Sequence, residues 1–211
     1  MRILVIGASQ GTGALAVSAA LEGGHTVTAF ARHPERLTLE NTALARKAGD
    51  FHDRASVDEA VVGHDAVIVT ASATKLRQFR EQPRYFSLGT EHVIAAMKHH
   101  GVRRLSVLSA LGAGDSRKLL NPILRAVMVG WLLKYAYADH DVQEALVRDS
   151  GLDWVIARPT RLTNGPARKR YVATAAIERV PSAISRADVA DFLVRAVVSD
   201  EWLGKAVQLG G

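Results

Sequence analysis

The chain has no cysteine, which excludes disulfides and thiolate catalysis and leaves the compartment open. Prolines are sparse, six in 211 residues, and no Ser/Gly/Pro-rich linker or compositional break divides the sequence. It therefore reads as one domain over residues 1–211, long enough for a sizeable core. It also lacks a long uninterrupted apolar run. The most apolar stretch, Leu119 to Tyr137, carries Asn121, Pro122, Arg125 and Lys134, too polar to cross a bilayer, so no membrane association is expected. Nor does a signal peptide open the sequence, because Met1-Arg2 leads straight into a strand-like run. A cytoplasmic protein is expected.

Charge of one sign is not concentrated anywhere. The net charge is +6, but its tight clusters are only Arg103-Arg104 and Arg168-Lys169-Arg170, without the interleaved aromatics of a nucleic-acid surface. No nucleic acid is expected as a partner, and attraction of an anionic cofactor or substrate accounts for the bias. Metal-ligand spacing is missing too. The eight histidines are dispersed, His99 and His100 are expected on different faces of a helix, and no metal is predicted.

What is present is alternation. Short apolar runs at Arg2–Ile6, Thr26–Ala31, Leu44–Ala48, Ala66–Thr70, Arg104–Ser109, Trp154–Ala157 and Ala206–Leu209 are separated by amphipathic segments. A further, polar strand is predicted near Tyr171–Thr174. Helices are predicted over Thr12–Leu21, from a Ser56–Glu59 capping box to Val62, over Leu88–His100, over about 120–150 with a break near Ala136–Asp139, and over Arg186–Val198 from a Ser185 cap. Continuously apolar strands alternating with helices predict an α/β domain of the Rossmann type. Its sheet would be parallel and doubly wound, with helices on both faces.

The first strand–helix junction carries Gly7-Ala8-Ser9-Gln10-Gly11-Thr12-Gly13. In this context Gly7 permits a tight turn, Gly11 lets backbone approach a pyrophosphate, and Gly13 lets the helix pack close. The helix N-terminus then offers unpaired N–H groups to phosphates. The G-x-x-x-G-x-G spacing differs from the G-x-G-x-x-G fingerprint, but its position supports a dinucleotide. After the second strand come Arg32, His33 and Arg36 in place of the carboxylate that would bind ribose hydroxyls. Arg32 can pair bidentately with a 2′-phosphate, so NADPH (NADP) is the predicted cofactor. Asp50-Phe51 after the third strand suits either the adenine or a strand-end cap. Thr70, Ala71 and Ser72 after the fourth should pass beneath the ribose.

Together these segments resemble the atypical short-chain dehydrogenase/reductases, in particular the NAD(P)H-binding group of biliverdin IXβ reductase (flavin reductase) and the NmrA-like proteins. The resemblance runs over nearly the whole chain. It is carried by the glycine turn, Ala31-Arg32, Gly49-Asp50, Gly63-His64-Asp65-Ala66, Ser109-Ala110, Asp139-His140, Ser150-Gly151-Leu152, Arg158-Pro159 and Ile184-Ser185 with Asp188. Two features depart from that reductase: its glycine turn is spaced G-x-x-G-x-x-G, and the apolar stretch around 119–137 is longer here.

The resemblance implies that Ser109 is the active-site serine near the nicotinamide, and that Pro159 and Thr160 lie by the carboxamide. Chemistry by a Tyr-x-x-x-Lys pair is excluded, since Gly89, Asp139, Asp141 and Ala175 stand four residues after the four tyrosines. His140 is a candidate for substrate orientation or proton supply, with Tyr137 one turn earlier as a weaker one. A strand-end role for Ser109 and a helix-surface role for His140 are the structural alternatives. The basic segment Lys75–Arg80, with Arg84 and Tyr85, would attract an anionic acceptor or be merely solvated. Val127–Leu133 would wall a pocket, a dimer contact or the core. The expected activity is an NADPH-dependent reductase acting on a flavin, quinone or tetrapyrrole-like acceptor, in a monomer or homodimer. A non-catalytic NADP(H) sensor of the NmrA-like kind is the alternative.

Overall fold

β1 (Arg2–Ile6) is apolar at consecutive positions because both of its faces are covered. Successive strand side chains point to opposite sides, so Ile3 and Val5 pack under one helix layer and Leu4 and Ile6 under the other. The computed structural model describes residues 1–71, 81–126 and 133–211. Within them follow β2 (Thr26–Ala31), β3 (Leu44–Ala48), β4 (Ala66–Val69), β5 (Arg104–Leu108), β6 (Asp153–Pro159), β7 (Arg161–Thr163), β8 (Val172–Thr174), β9 (Ala183–Ser185) and β10 (Lys205–Gly210). An eight-stranded sheet runs β3-β2-β1-β4-β5-β6-β10-β8. Its pairs are parallel except β8, which is antiparallel to β10. β7 and β9 form a separate parallel pair beyond the end of β6.

α1 (Gly11–Glu22) covers one face. α2 (Arg54–Val61), α3 (Tyr85–His99) and α4 (Lys134–Arg148) cover the other, through Val57, Val61, Val93, Met97 and Val147. α5 (Arg186–Val198) returns to the first face and packs on α1. The outer strand β3 carries Arg46 and Lys47, charges that suit a sheet edge. No helix among the described residues is long and apolar enough to cross a membrane.

The fold is the predicted one, with local departures. Asp53, not Ser56, caps α2: its carboxylate accepts the Ala55 N–H at 3.2 Å. The Ser56 hydroxyl instead stands 2.2 Å from where a Cβ on Gly49 would lie, so packing against the β3 end fixes it. α4 runs unbroken through Ala136–Asp139, and α3 starts at Tyr85 rather than Leu88. One side chain accounts for both. Asp139 is buried, and its carboxylate accepts the N–H groups of Phe86 and Ser87 (3.1 Å for Ser87). It thus caps a neighbouring helix instead of competing for its own backbone. Ser185 caps α5 as predicted, accepting from the Asp188 N–H at 2.9 Å. The short β7 and β9 carry no sequence signal. Ser72, Lys75–Arg80 and the run Val127–Leu133 up to Leu132 lie outside the described residues, while Leu133 packs against the cluster of Tyr85, Phe86 and Ala136.

Candidate functional site

The order of strands reverses between β1 and β4, which opens a crevice outside their carboxyl ends. The glycine turn sits there. Gly7 adopts φ 84°, and a Cβ on it would approach the Ala71 nitrogen to 2.8 Å. A Cβ on Gly13 would lie 2.1 Å from the Gly7 carbonyl oxygen and 2.6 Å from Thr70 Oγ1. Gly11 has open space around it and is needed for its φ of 58°. α1 then begins with no side-chain cap from Gln10 and no acidic residue in its first turn. Its first N–H groups and the positive end of its dipole are left for an anion. Thr12 is buried in that turn.

Beside the turn lies a cavity of about 160 Å³. It gathers Gly7, Ser9, Gln10, Arg32, His33, Arg36, Asp50, Phe51 and Ala71. Arg32 and Arg36 are exposed, and neither forms an ion pair with a described residue. The neighbouring Glu35 faces His33 at 3.2 Å. Asp50 belongs to the cavity and also closes its own turn, accepting the His52 N–H at 2.9 Å. The Phe51 ring is a core element, filling the space that Gly89 leaves by lacking a side chain. Thr70 donates its hydroxyl to the Ile6 carbonyl at 2.8 Å, tying β4 to β1 beneath the glycine turn. Tyr85, expected with Arg84 on the acceptor side, instead lines this cavity, because a distant residue, Asp139, sets the start of α3.

A second cavity, about 570 Å³, opens past the ends of β5 and β6. Ala110, Leu111, Leu119, Leu120, Pro159 and Val180 supply apolar wall, and Tyr137, Thr160, Arg161 and Arg179 supply polar groups. The Tyr137 hydroxyl donates to the Leu111 carbonyl at 3.1 Å, and burial pushes its pKa up, so it stays protonated. Thr160 Oγ1 is buried without a hydrogen-bond partner among the described residues.

Ser109, at the end of β5, is buried and donates its hydroxyl to Glu144 at 2.7 Å. Glu144 in turn forms a bidentate pair with Arg158, whose guanidinium also reaches Asp115. Arg158 is fully buried. Burial works against its charge, but Glu144 and Asp115 outweigh that and hold its pKa above the ordinary value. Sequence reasoning missed this network. Glu144 and Arg158 look like ordinary polar positions on a helix and a strand end until α4 is laid across β6.

His140 is placed differently from expectation. It is half-buried, stacks on Phe86 with centroids 4.0 Å apart, and its Nδ1 meets Gln143 Oε1 at 2.8 Å. It lines neither cavity just described. Burial lowers its pKa, so it is neutral near pH 7. His99 and His100 do not diverge: both imidazoles reach Asp58 of α2, at 3.2 and 3.1 Å. Each carboxylate oxygen meets one ring, which holds the Asp58 carboxyl below its usual range and joins α3 to α2.

A family model described as NAD(P)H-binding matches residues 7–200. Among curated proteins, a (4-alkanoyl-5-oxo-2,5-dihydrofuran-3-yl)methyl phosphate reductase of Streptomyces griseus is 29% identical over 219 residues, spanning 99% of this chain and 67% of that protein. The chain spans about a third to two thirds of the length of the curated relatives it matches. A solved anaerobillin reductase, ChuY of Escherichia coli O157:H7, superposes with TM-score 0.81 at 24% identity, covering 100% of this chain and 97% of that one. A short-chain dehydrogenase/reductase of Veillonella parvula, solved in complex with NADP, superposes with TM-score 0.82 at 17% identity, covering 100% and 94%. Both show the fold.

Proposed function

The chain belongs to the NAD(P)H-binding family, and from that premise we propose that it is an NADPH-dependent reductase of a small conjugated acceptor of the flavin, quinone or tetrapyrrole type. One observation carries the reading. Two cavities lie along the same edge of the sheet, one with a glycine turn and exposed arginines, the other largely apolar. A dinucleotide lying across the switch point would have its adenosine end in the first and its nicotinamide beside the second. The glycine clearances, the start of α1 without a side-chain cap and the exposed Arg32 fit such a cofactor. Gly7, Ser9, Gln10, Gly11, Thr12 and Gly13 would hold its pyrophosphate, and Arg32 its 2′-phosphate with His33 and Arg36 in support. Asp50 and Phe51 would meet the adenine, Thr70, Ala71 and Ser72 the ribose, and Pro159 and Thr160 the carboxamide.

When bound, the cofactor supplies a hydride. The protein's own groups then orient and exclude water. Ser109 lines neither cavity and has its proton committed to Glu144, so it is not available as an acid. Tyr137 likewise gives its proton to a backbone carbonyl. In this reading the proton that completes the reduction comes from solvent, and His140 supports the helix packing behind the site. The reductase names of relatives support the reaction class.

The same commitment of both hydroxyls favours a second reading, a non-catalytic NADP(H) sensor. NADPH oxidation monitored against a panel of flavins, quinones and linear tetrapyrroles separates them: turnover with at least one acceptor is expected. Silence across the panel, with equal affinity for oxidised and reduced cofactor, would establish the sensor instead.

For the cofactor, Arg32→Ala is expected to weaken NADPH by about 1.5–3 kcal/mol, roughly 10- to 150-fold, through loss of a charge-assisted phosphate pair. NADH affinity should hardly change. Paired titrations check this, and equal losses for both cofactors would remove Arg32 from the 2′-phosphate site.

A further inference from the structure

The larger cavity is apolar over most of its wall, yet the charges at its mouth are all of one sign. Arg161 and Arg179 line it, and among the described residues no aspartate or glutamate does. Arg161 opens β7, and Arg179 lies four residues before Ala183, its partner in the β7–β9 register. The two guanidiniums are therefore delivered to one rim by adjacent chain segments. Both are exposed, and neither makes an ion pair with a described residue. That sets them apart from Arg2, Arg84, Arg103 and Arg117, which are each paired with a carboxylate.

We propose that Arg161 and Arg179 form an anion subsite at the mouth of this cavity, so that the acceptor is an amphipathic molecule with an apolar reacting body and a carboxylate or phosphate tail. The inference rests on the reading of the cavity as the acceptor side. An unpaired guanidinium beside low-dielectric walls attracts an anion strongly and presents a planar donor fork that matches carboxylate and phosphate oxygens. The apolar wall takes the conjugated body, and a few polar groups fix its orientation, as in small-molecule sites generally. A neutral acceptor would gain nothing from the two cations, and a cationic one would be repelled.

The test uses probe pairs that share a reacting body and differ in the tail. FMN against riboflavin reads a phosphate, and a linear tetrapyrrole diacid against its dimethyl ester reads carboxylates. Dissociation constants are measured by fluorescence with the full chain saturated in NADP, so that anionic probes cannot enter the cofactor cavity. The wild-type protein should bind the charged member of at least one pair about tenfold or more tightly, with the preference shrinking as salt rises. Arg161→Ala with Arg179→Ala together should erase the preference while leaving NADPH affinity unchanged. Equal binding within both pairs, no binding of any probe, or a preference that survives the double variant would each overturn the subsite. A charge preference without NADPH oxidation would keep the subsite and remove the reductase reading, so the two fail separately.

Discussion

Arg158→Met is expected to destabilise the fold by about 3–5 kcal/mol, because it leaves the buried Glu144 without its bidentate partner, answered only by the Ser109 hydroxyl and by Arg148 at 3.8 Å. Glu144 is 3% exposed and Arg158 0%, so neither charge can turn to solvent. For a domain of this size the loss corresponds to a fall in melting temperature of about 6–20 °C. The effect comes from breaking the pair rather than from the worth of the pair. Replacing both partners with apolar residues, Glu144→Leu with Arg158→Met, should therefore recover much of the stability. Thermal denaturation of the single and double variants checks both parts. A single variant within about 1 kcal/mol of wild type, or a double variant as weak as the single, would show that the pair is not the buried strut described. Ser109 offers a second readout. In the double variant its hydroxyl loses its acceptor and can turn toward the crevice, so the NADPH affinity should shift even where the fold recovers.

Gly13→Ala is expected to damage both cofactor binding and stability. The new Cβ would stand 2.1 Å from a backbone carbonyl oxygen, and neither the turn nor α1 can yield without displacing the other. Overpacking of this kind costs about 1–3 kcal/mol or more, and here the displaced atoms are those proposed to meet the pyrophosphate. Gly11→Ala is the control. Its Cβ meets nothing within 4 Å, so its cost is that of a positive φ, about 1–2 kcal/mol. NADPH titration should show Gly13→Ala losing nearly all affinity and Gly11→Ala retaining more of it. The reverse order would mean that conformational freedom, not close approach, governs the turn.

Much of the architecture was legible because it depends on local or periodic signals. The apolar runs of β1, β2, β4, β5 and β6 state that both sheet faces are buried. The glycine turn, read with its position between a strand and a helix, predicts geometry that Gly7 and Gly13 then display. Arg32, His33, Arg36, Asp50 and Phe51 meet in one cavity because they all follow strand ends in a parallel sheet, and parallel strands bring their carboxyl ends to one edge. The helix boundaries were less legible. Ser56 and Glu59 spell a capping box, yet Asp53 lies three residues earlier and starts the helix first. Tyr85 begins α3 because Asp139, 54 positions away in sequence, caps it (139 − 85 = 54).

Sequence by itself determined the class of fold, the place of the glycine turn and the cation after β2, since each is written in neighbouring residues. Tertiary structure alone decided what the polar groups do. It turned Ser109 toward Glu144, buried Arg158 in answer, stacked His140 on Phe86, drew His99 and His100 onto one carboxylate, and set Arg161 and Arg179 on the rim of one cavity. A side chain's partner across a fold depends on which elements are laid together and at what register, and no local pattern carries that information.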